Sequence, residues 1–235
     1  MIAPTLEIQR LELYYRSIRV LGNLNLTVDG GVTAVVGPNG SGKTTLLRAV
    51  SGLVKPWRGQ ICFAGREITD LPACQRVRLG LGHVPSGAAV AARLTVRENL
   101  LVGAFLRGNR ADATRNLRKV FDLFPALKDQ QFRPAAGLSG GERQMIAIGR
   151  ALMSNPRLLL LDEPFAGLSE AVKESIADSL TAMAAARVPV LLAEHDLAAV
   201  AGIAQRVIGL RGGRMVFDGT PRELSTQASL QVIFS

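Results

Sequence analysis

The sequence predicts an α/β fold: a parallel sheet flanked by helices, with an antiparallel β portion and an inserted helical region. Three observations carry that expectation. Apolar runs of strand length recur at Val32-Thr33-Ala34-Val35-Val36, Leu158 to Leu161 and Val188 to Ala193. They are nearly continuous in apolar character, as strands covered on both faces of a parallel sheet must be. Helical patterns lie between them, and that alternation is the mark of an α/β core.

Each element then has its own justification. Residues near 5–36 and 57–65 contain short alternating segments, such as Gln60-Ile61-Cys62-Phe63-Ala64-Gly65, that read as antiparallel strands. Leu46, Leu47, Val50 and Leu53 recur at helical spacing, and so do Val172, Ile176, Leu180 and Met183. From about 94 to 153 the pattern is almost wholly helical, with Leu117, Val120, Phe121 and Phe124 on one face, and reads as a helical subdomain inserted in the core. Arg206 to Phe217 sets two apolar runs around Arg211-Gly212-Gly213, a hairpin signal. Internal repeats are absent, and the Ala-rich patch from Ala88 to Ala92 is the one biased stretch. A chain of 235 residues suits one domain, 1–235, with room for a subdomain.

Composition narrows the class. Hydrophobic residues make up 48% of the chain, enough for a packed core. No run approaches the ~18 uninterrupted apolar residues that span a bilayer. The opening MIAPTLEIQRLELYY carries charges every few residues and no apolar signal core, so a cytoplasmic protein is expected. Cys62 and Cys74 stand alone, with two histidines in the whole chain, which argues against a disulfide framework or a cysteine-based metal site. The net charge of +9 fits an ordinary solvated surface, or attraction to anionic lipid, nucleotide or nucleic acid, and does not choose among them.

Chemistry enters at Gly37-Pro38-Asn39-Gly40-Ser41-Gly42-Lys43-Thr44, which fits G-x-x-x-x-G-K-[ST] between an expected strand and an expected helix. Glycines let such a loop curl so that its N–H groups face phosphate oxygens, and the helix N-terminus adds a favourable dipole. Lys43 then reaches the β/γ-phosphates as a point charge, and the Thr44 hydroxyl ligates Mg²⁺. Leu158-Leu159-Leu160-Leu161-Asp162-Glu163 is a buried strand ending in two carboxylates. Ligands of open α/β sheets sit beyond the carboxyl ends of strands, so these acids are expected to face the cleft of Lys43. There Asp162 holds the Mg²⁺ shell and Glu163 polarises an attacking water. Taken alone, such a strand is as often merely one that reaches solvent. Leu138-Ser139-Gly140-Gly141-Glu142 opens a strongly helical stretch, where Ser139, Gly140 and Gly141 either bind an anion through exposed N–H groups or simply cap a helix.

With these motifs in order, the sequence resembles the ATP-binding-cassette family over essentially its whole length. GPNGSGKTT, which extends to Thr45, resembles the Walker A motif, LSGGERQ the signature motif and LLLLDEP the Walker B motif. The resemblance implies a P-loop NTPase (RecA-like) core with an antiparallel β subdomain and an inserted α-helical subdomain. It also implies that Tyr15 stacks on adenine and that His195, in Ala193-Glu194-His195-Asp196, is the switch histidine near the γ-phosphate. Outside that register, Tyr15 reads as a surface strand aromatic and His195 as a satisfied loop histidine. The implied working form is a head-to-tail dimer in which one chain's signature loop completes the other chain's ATP site. Within the family, the likeness is to the ATPase subunits of branched-chain amino acid importers. It rests on Gly149 to Arg157 running into the Walker B strand, on Phe121-Asp122-Leu123-Phe124-Pro125 and on Gly167-Leu168-Ser169.

Two positions depart from the family pattern. After Gly82-His83-Val84-Pro85, where most relatives carry a Gln that touches Mg²⁺ or the attacking water, this chain has Ser86. Ser169 stands where many relatives place an aspartate. Neither change touches Lys43, Asp162 or Glu163. The expected cofactors are ATP and Mg²⁺. The expected partners are integral membrane permease subunits and a second ATPase subunit, identical or a sister, at the cytoplasmic face of the inner membrane. The alternative is a soluble cassette ATPase acting on nucleic acid or ribosomes. Such relatives carry coiled-coil insertions, cysteine-rich zinc modules or paired cassettes, none of which occurs here, so no nucleic acid is expected.

Overall fold

The computed structural model describes residues 5–87, 89–105 and 110–234, so Ala88 of the Ala-rich patch and residues 106–109 of the helical region lie outside the described residues. The chain opens with β1 (Leu6–Tyr15), β2 (Ile18–Val28) and β3 (Val32–Val36), followed by α1 (Lys43–Ser51), β4 (Arg58–Phe63), β5 (Arg66–Glu67), α2 (Ala73–Leu79) and β6 (Leu81–Val84). Helices α3 (Val96–Val102), α4 (Arg110–Leu123), α5 (Pro125–Asp129) and α6 (Gly140–Leu152) come next. The core resumes with β7 (Leu158–Asp162), α7 (Glu170–Ala185), β8 (Val190–Glu194), α8 (Leu197–Ala201), β9 (Arg206–Arg211) and β10 (Arg214–Gly219), and ends in α9 (Pro221–Leu224) and α10 (Gln227–Phe234).

Among the described residues the strands form two sheets, an antiparallel one in the order β2-β1-β4-β5 and a six-stranded one in the order β10-β9-β3-β8-β7-β6. In the larger sheet β9, β3, β8, β7 and β6 run parallel, and β10 returns antiparallel along β9 from the Gly212-Gly213 turn. Strand side chains alternate between faces, and the alternation sorts one leucine run into two cores. Leu158 and Leu160, with Val35, Leu191 and Ala193, pack on Leu46, Leu47 and Val50 of α1 and on Leu6, Ile8, Leu11 and Leu13 of β1. Leu159 and Leu161, with Ala34, Val36 and Leu192, face Phe121 of α4, Ile146 and Ile148 of α6, and Ile176 and Leu180 of α7. Helix α1 is thus held between the two sheets, and the helical insertion covers the opposite face.

The expected parallel strands, the hairpin and the helical region are all present, with two local differences. Leu53 does not extend the α1 face: Gly52 turns left-handed (φ 78°), its N–H capping the carbonyls of Arg48 and Ala49, and Leu53 is 59% exposed. The strand expected from Val188 begins at Val190, because Pro189 has no N–H for the ladder, although its carbonyl accepts from the Leu159 N–H at 3.0 Å.

One buried cation ties α1 to the segment leading into β6. Arg76 of α2 is 1% exposed, and its guanidinium donates to the carbonyls of Ala49 (2.7 Å) and Val50 (2.8 Å) at the end of α1. It donates also to the carbonyls of Leu71 and Thr69, each at 2.8 Å. Burial pushes its pKa down to about 10, so it keeps its charge at neutral pH. Removing it takes a charged donor from four carbonyls, those of Ala49 and Val50 in buried bonds, at about 1–3 kcal/mol for each left unsatisfied. Arg76→Met is expected to cost at least about 3 kcal/mol, read in urea as a lower midpoint at unchanged slope; a midpoint within 0.3 M of the parent's contradicts this account.

On β6, at the edge of the large sheet, His83 has a buried Nε2 with no hydrogen-bond partner among the described residues. Burial, and secondarily the positive charge of Arg48, lower its pKa to about 4. In the unfolded chain the imidazole titrates near 6.5, so between those values the unfolded state binds a proton that the folded state refuses. Stability is therefore full above about pH 6.5 and falls toward pH 4, by up to about 3 kcal/mol from this group. His83→Gln is expected to flatten that slope in denaturant titrations at successive pH values; an unchanged slope assigns it to other groups.

Candidate functional site

The loop from Gly37 to Gly42 follows β3 and leads into α1. At Gly37 (φ 152°) a Cβ would meet the carbonyl oxygen of Leu210 at 2.1 Å and Ser41 Oγ at 2.9 Å, so only glycine lets the loop leave β3 beside β9. Helix α1 begins from Gly42 (φ 107°) with no side-chain cap and no acidic residue in its first turn. Its first backbone N–H groups thus have no side chain to accept them, and they carry the positive end of the helix dipole. Buried Ser41 Oγ has no hydrogen-bond partner among the described residues either. These are the features of an anion cradle. A cavity of ≈ 140 Å³ lies over it, lined by Val20, Asn39, Gly40, Gly42, Lys43, Thr44, Thr45 and Glu163.

Lys43 is 5% exposed, and its ammonium folds back to donate to the carbonyls of Gly37 (2.7 Å) and Pro38 (3.1 Å). Burial lowers its pKa, against the opposing pull of Glu163, Asp162 and Glu194. At the next residue, the Thr44 hydroxyl donates to Asp162 Oδ1 at 3.0 Å. Asp162 ends β7 and is 2% exposed; burial raises its pKa, and the Thr44 hydrogen bond opposes the rise. A hydroxyl and a carboxylate oxygen at that separation suit a hard divalent cation, which takes oxygen ligands and retains water. The donor set fits Mg²⁺.

Glu163 turns the chain away from the sheet in the left-handed region (φ 48°), a conformation that a non-glycine residue adopts only when its surroundings enforce it. Its N–H donates to the Ala193 carbonyl at 2.9 Å, which holds the turn against β8. Its side chain is 29% exposed, and Glu163 Oε1 lies 3.7 Å from Nδ1 of His195, whose side chain is 52% exposed. Lys43, Thr44 and Glu163 thus line one cavity, with Asp162 behind it on the Thr44 hydroxyl and His195 beside Glu163. A carboxylate here can polarise a water next to a bound phosphate, and an imidazole can donate to the phosphate's oxygens.

Other candidates lie elsewhere on the chain. Ser139 is the N-cap of α6, where its hydroxyl accepts from the Glu142 N–H (3.2 Å) and its own N–H donates to Glu142 Oε2 (2.7 Å). The Gln130 carboxamide also donates to Glu142, and these bonds, the Gln130 one foremost, hold the Glu142 carboxyl below its usual range. Ser139 and Gly140 are exposed, while Gly141 is buried against Val172 of α7. None of the three lines the phosphate-loop cavity of its own chain, and neither does Tyr15, which ends β1 and is 41% exposed. Ser86 is exposed beyond β6, and Ser169 is the exposed N-cap of α7. Sequence reasoning passed over Glu194, which is 0% exposed and sits between the two catalytic candidates. Its signal was an acid closing an apolar strand immediately before His195.

Comparison with known proteins agrees with this geometry. The family model described as ABC transporter matches residues 21–166. The chain is 37% identical to a high-affinity branched-chain amino acid transport ATP-binding protein, BraG, of Pseudomonas aeruginosa, covering 96% of this chain and 97% of that protein. It is also 37% identical to a probable branched-chain amino acid transport ATP-binding protein, LivF, of Archaeoglobus fulgidus, covering 92% of each. Among solved structures it superposes, at a TM-score of 0.80 and 26% identity, on an ATP-binding cassette in a dimeric post-hydrolysis state bound to ADP and Pi, covering 92% of this chain and 99% of that one. With that family match beside the phosphate loop, the acid pair and the histidine, the chain belongs to the ABC transporter family, as an ATP-binding, ATP-hydrolysing nucleotide-binding subunit.

Proposed function

We propose that this subunit powers solute import across a membrane, in a transporter of the branched-chain amino acid type, as a single nucleotide-binding domain spanning residues 1–235. The observation that carries the catalytic part is the meeting of the Gly37–Thr44 loop, Asp162, Glu163 and His195 at the carboxyl ends of three adjacent strands, β3, β8 and β7. The amino acid assignment draws on the names of the BraG and LivF relatives.

In the proposed site the backbone N–H groups of Gly37, Pro38's successors Asn39 to Gly42, Lys43, Thr44 and Thr45 cradle the phosphates of ATP. Lys43 exchanges its carbonyl partners for the β/γ-phosphate oxygens. Thr44 and Asp162 are placed to hold Mg²⁺, which when bound neutralises charge on those phosphates. Glu163 orients and polarises the water that attacks the γ-phosphate, and His195 steadies the γ-phosphate oxygens as charge spreads over them. Tyr15 supplies a face for adenine. Ser139 and Gly140 are exposed at a helix start, with Gly141 buried behind them, and none of the three lines its own chain's cavity; in a head-to-tail dimer they close the site of the opposite subunit. The dimeric cassette of similar fold supports that pairing, with itself or a sister subunit. Among the described residues no helix is long and apolar enough to cross a membrane, so the path for solute belongs to permease subunits, with this chain peripheral to them at the cytoplasmic face. The loop from Ser86 to Arg93 and the helical region are the proposed contact.

Glu163→Gln keeps the shape of the site and removes the carboxylate, so hydrolysis is expected to fall by roughly 10²–10⁴-fold while ATP still binds. Affinity capture of this variant from detergent-solubilised membranes with Mg-ATP is expected to recover a polytopic membrane protein; nucleic acid or ribosomal proteins in its place would overturn the transporter reading. Ser86→Gln restores a longer side chain beside the site and is expected to alter the hydrolysis rate, or its stimulation by the permease, more than the affinity for ATP. Identical rates in both forms, with and without permease, contradict a role for this position.

A further inference from the structure

The carboxylate of Glu194 is wholly buried at the end of β8, yet its backbone partners belong to both loops that carry the catalytic candidates. Oε1 accepts from the Phe165 N–H at 3.1 Å, two residues beyond Glu163. Oε2 accepts from the His195 N–H at 2.8 Å and the Asp196 N–H at 3.3 Å. The same oxygen lies 3.5 Å from His195 Nδ1, beside the 3.7 Å approach of Glu163 Oε1 to that nitrogen. Burying an ionised carboxylate is costly unless hydrogen bonds answer it, and here three backbone donors do. The adjacent left-handed turn at Glu163 is pinned to the neighbouring Ala193 carbonyl, so one end of β8 controls the whole Glu163–Phe165 turn.

We propose that Glu194 is a positioning residue for ATP hydrolysis, which fixes the Glu163 turn relative to His195 and sets the tautomer of the imidazole. The inference rests on the roles given above to Glu163 and His195. Ionised carboxylates only accept hydrogen bonds, so a nitrogen faced by two of them carries the proton. His195 therefore keeps a proton on Nδ1; in the neutral ring Nε2 is then bare, and it donates to the γ-phosphate oxygens only when it too carries a proton, as the imidazolium. A change at Glu194 acts on how the bound nucleotide reacts more than on the phosphate cradle, because its hydrogen bonds go to Phe165, His195 and Asp196 and it reaches Lys43 only through charge, behind Glu163 and Asp162.

The test uses the full chain, with Glu194→Gln compared with the parent. Gln keeps the size but turns an amide N–H₂ toward backbone donors. The expected result is a kcat for Mg-ATP lower by roughly 10–100-fold, the scale seen when the group that orients a functional side chain is lost, with KM and the affinity for a non-hydrolysable ATP analogue within about threefold of the parent. ¹⁵N-histidine NMR supplies the readout that a purely structural role would not move. The chain has two histidines, so His83→Gln leaves the His195 signals alone. The parent is expected to show the Nδ1–H tautomer and Glu194→Gln a mixture. An Nε2–H tautomer in the parent overturns the proposal even if the variant fails to fold. So does a variant with unchanged kcat, or one whose loss lies in KM. Glu163→Gln and His195→Ala run in the same assay separate the two levels: if both retain the parent rate, the assigned catalytic roles fail and this inference with them; if both lose it while Glu194→Gln does not, only the inference about Glu194 fails.

Discussion

The parallel pairing of β3, β8 and β7 is the constraint from which the site follows. Val36 is in register with Glu194, and Asp162 with Ala193, so three strands end side by side. Parallel strands deliver all their carboxyl ends to one edge, and whatever loops leave that edge become neighbours. The phosphate loop leaves β3, the acid pair leaves β7, and His195 leaves β8 between them. No single side chain had to be brought across the fold; the hydrogen-bond ladder did it.

That edge concentrates charge in a nearly dry setting. Lys43, Asp162 and Glu194 are all at most 5% exposed, and Glu163 and His195 stand at the rim. Burial works against each charge separately, lowering the pKa of Lys43 and raising that of Asp162. Their mutual attraction and the hydrogen bonds to carbonyls, hydroxyl and backbone N–H groups offset that penalty. Three carboxylates, Asp162, Glu163 and Glu194, act on the Lys43 ammonium, and Arg48 adds a second positive charge that acts on Asp162.

The two hydrophobic cores divide the labour. The core between the sheets fixes α1, and so the start of the helix under the phosphate cradle. Arg76 secures the other end of the same helix by taking its last carbonyls. The core on the opposite face carries the helical insertion, and Ser139 with it, against α7 and β7. The Ser139 loop and the phosphate loop are thus mounted on opposite sides of one sheet, which leaves them apart within a chain.

The sequence by itself determined a good deal. Unbroken apolar runs mark doubly covered strands, and GPNGSGKTT and LSGGERQ mark their loops, because glycine, lysine and hydroxyl requirements are local and leave a fixed spacing. Lys43 and Thr44 were legible for that reason, Asp162 and Glu163 only once the phosphate loop stood beside them, and His195 only through the family resemblance. The end of α1 was not, since Leu53 keeps the helical period while Gly52 breaks the helix. What only the tertiary structure decided are properties of neighbours distant in the chain. Arg76 as the cap of another helix, the buried His83 Nε2 with no partner among the described residues, the left-handed turn at Glu163 and the reach of Glu194 to Phe165 depend on which strands pair. Hydrogen bonds and burial are set by three-dimensional proximity, and a charged residue at the end of an apolar run looks the same in sequence whether it meets water or three backbone N–H groups.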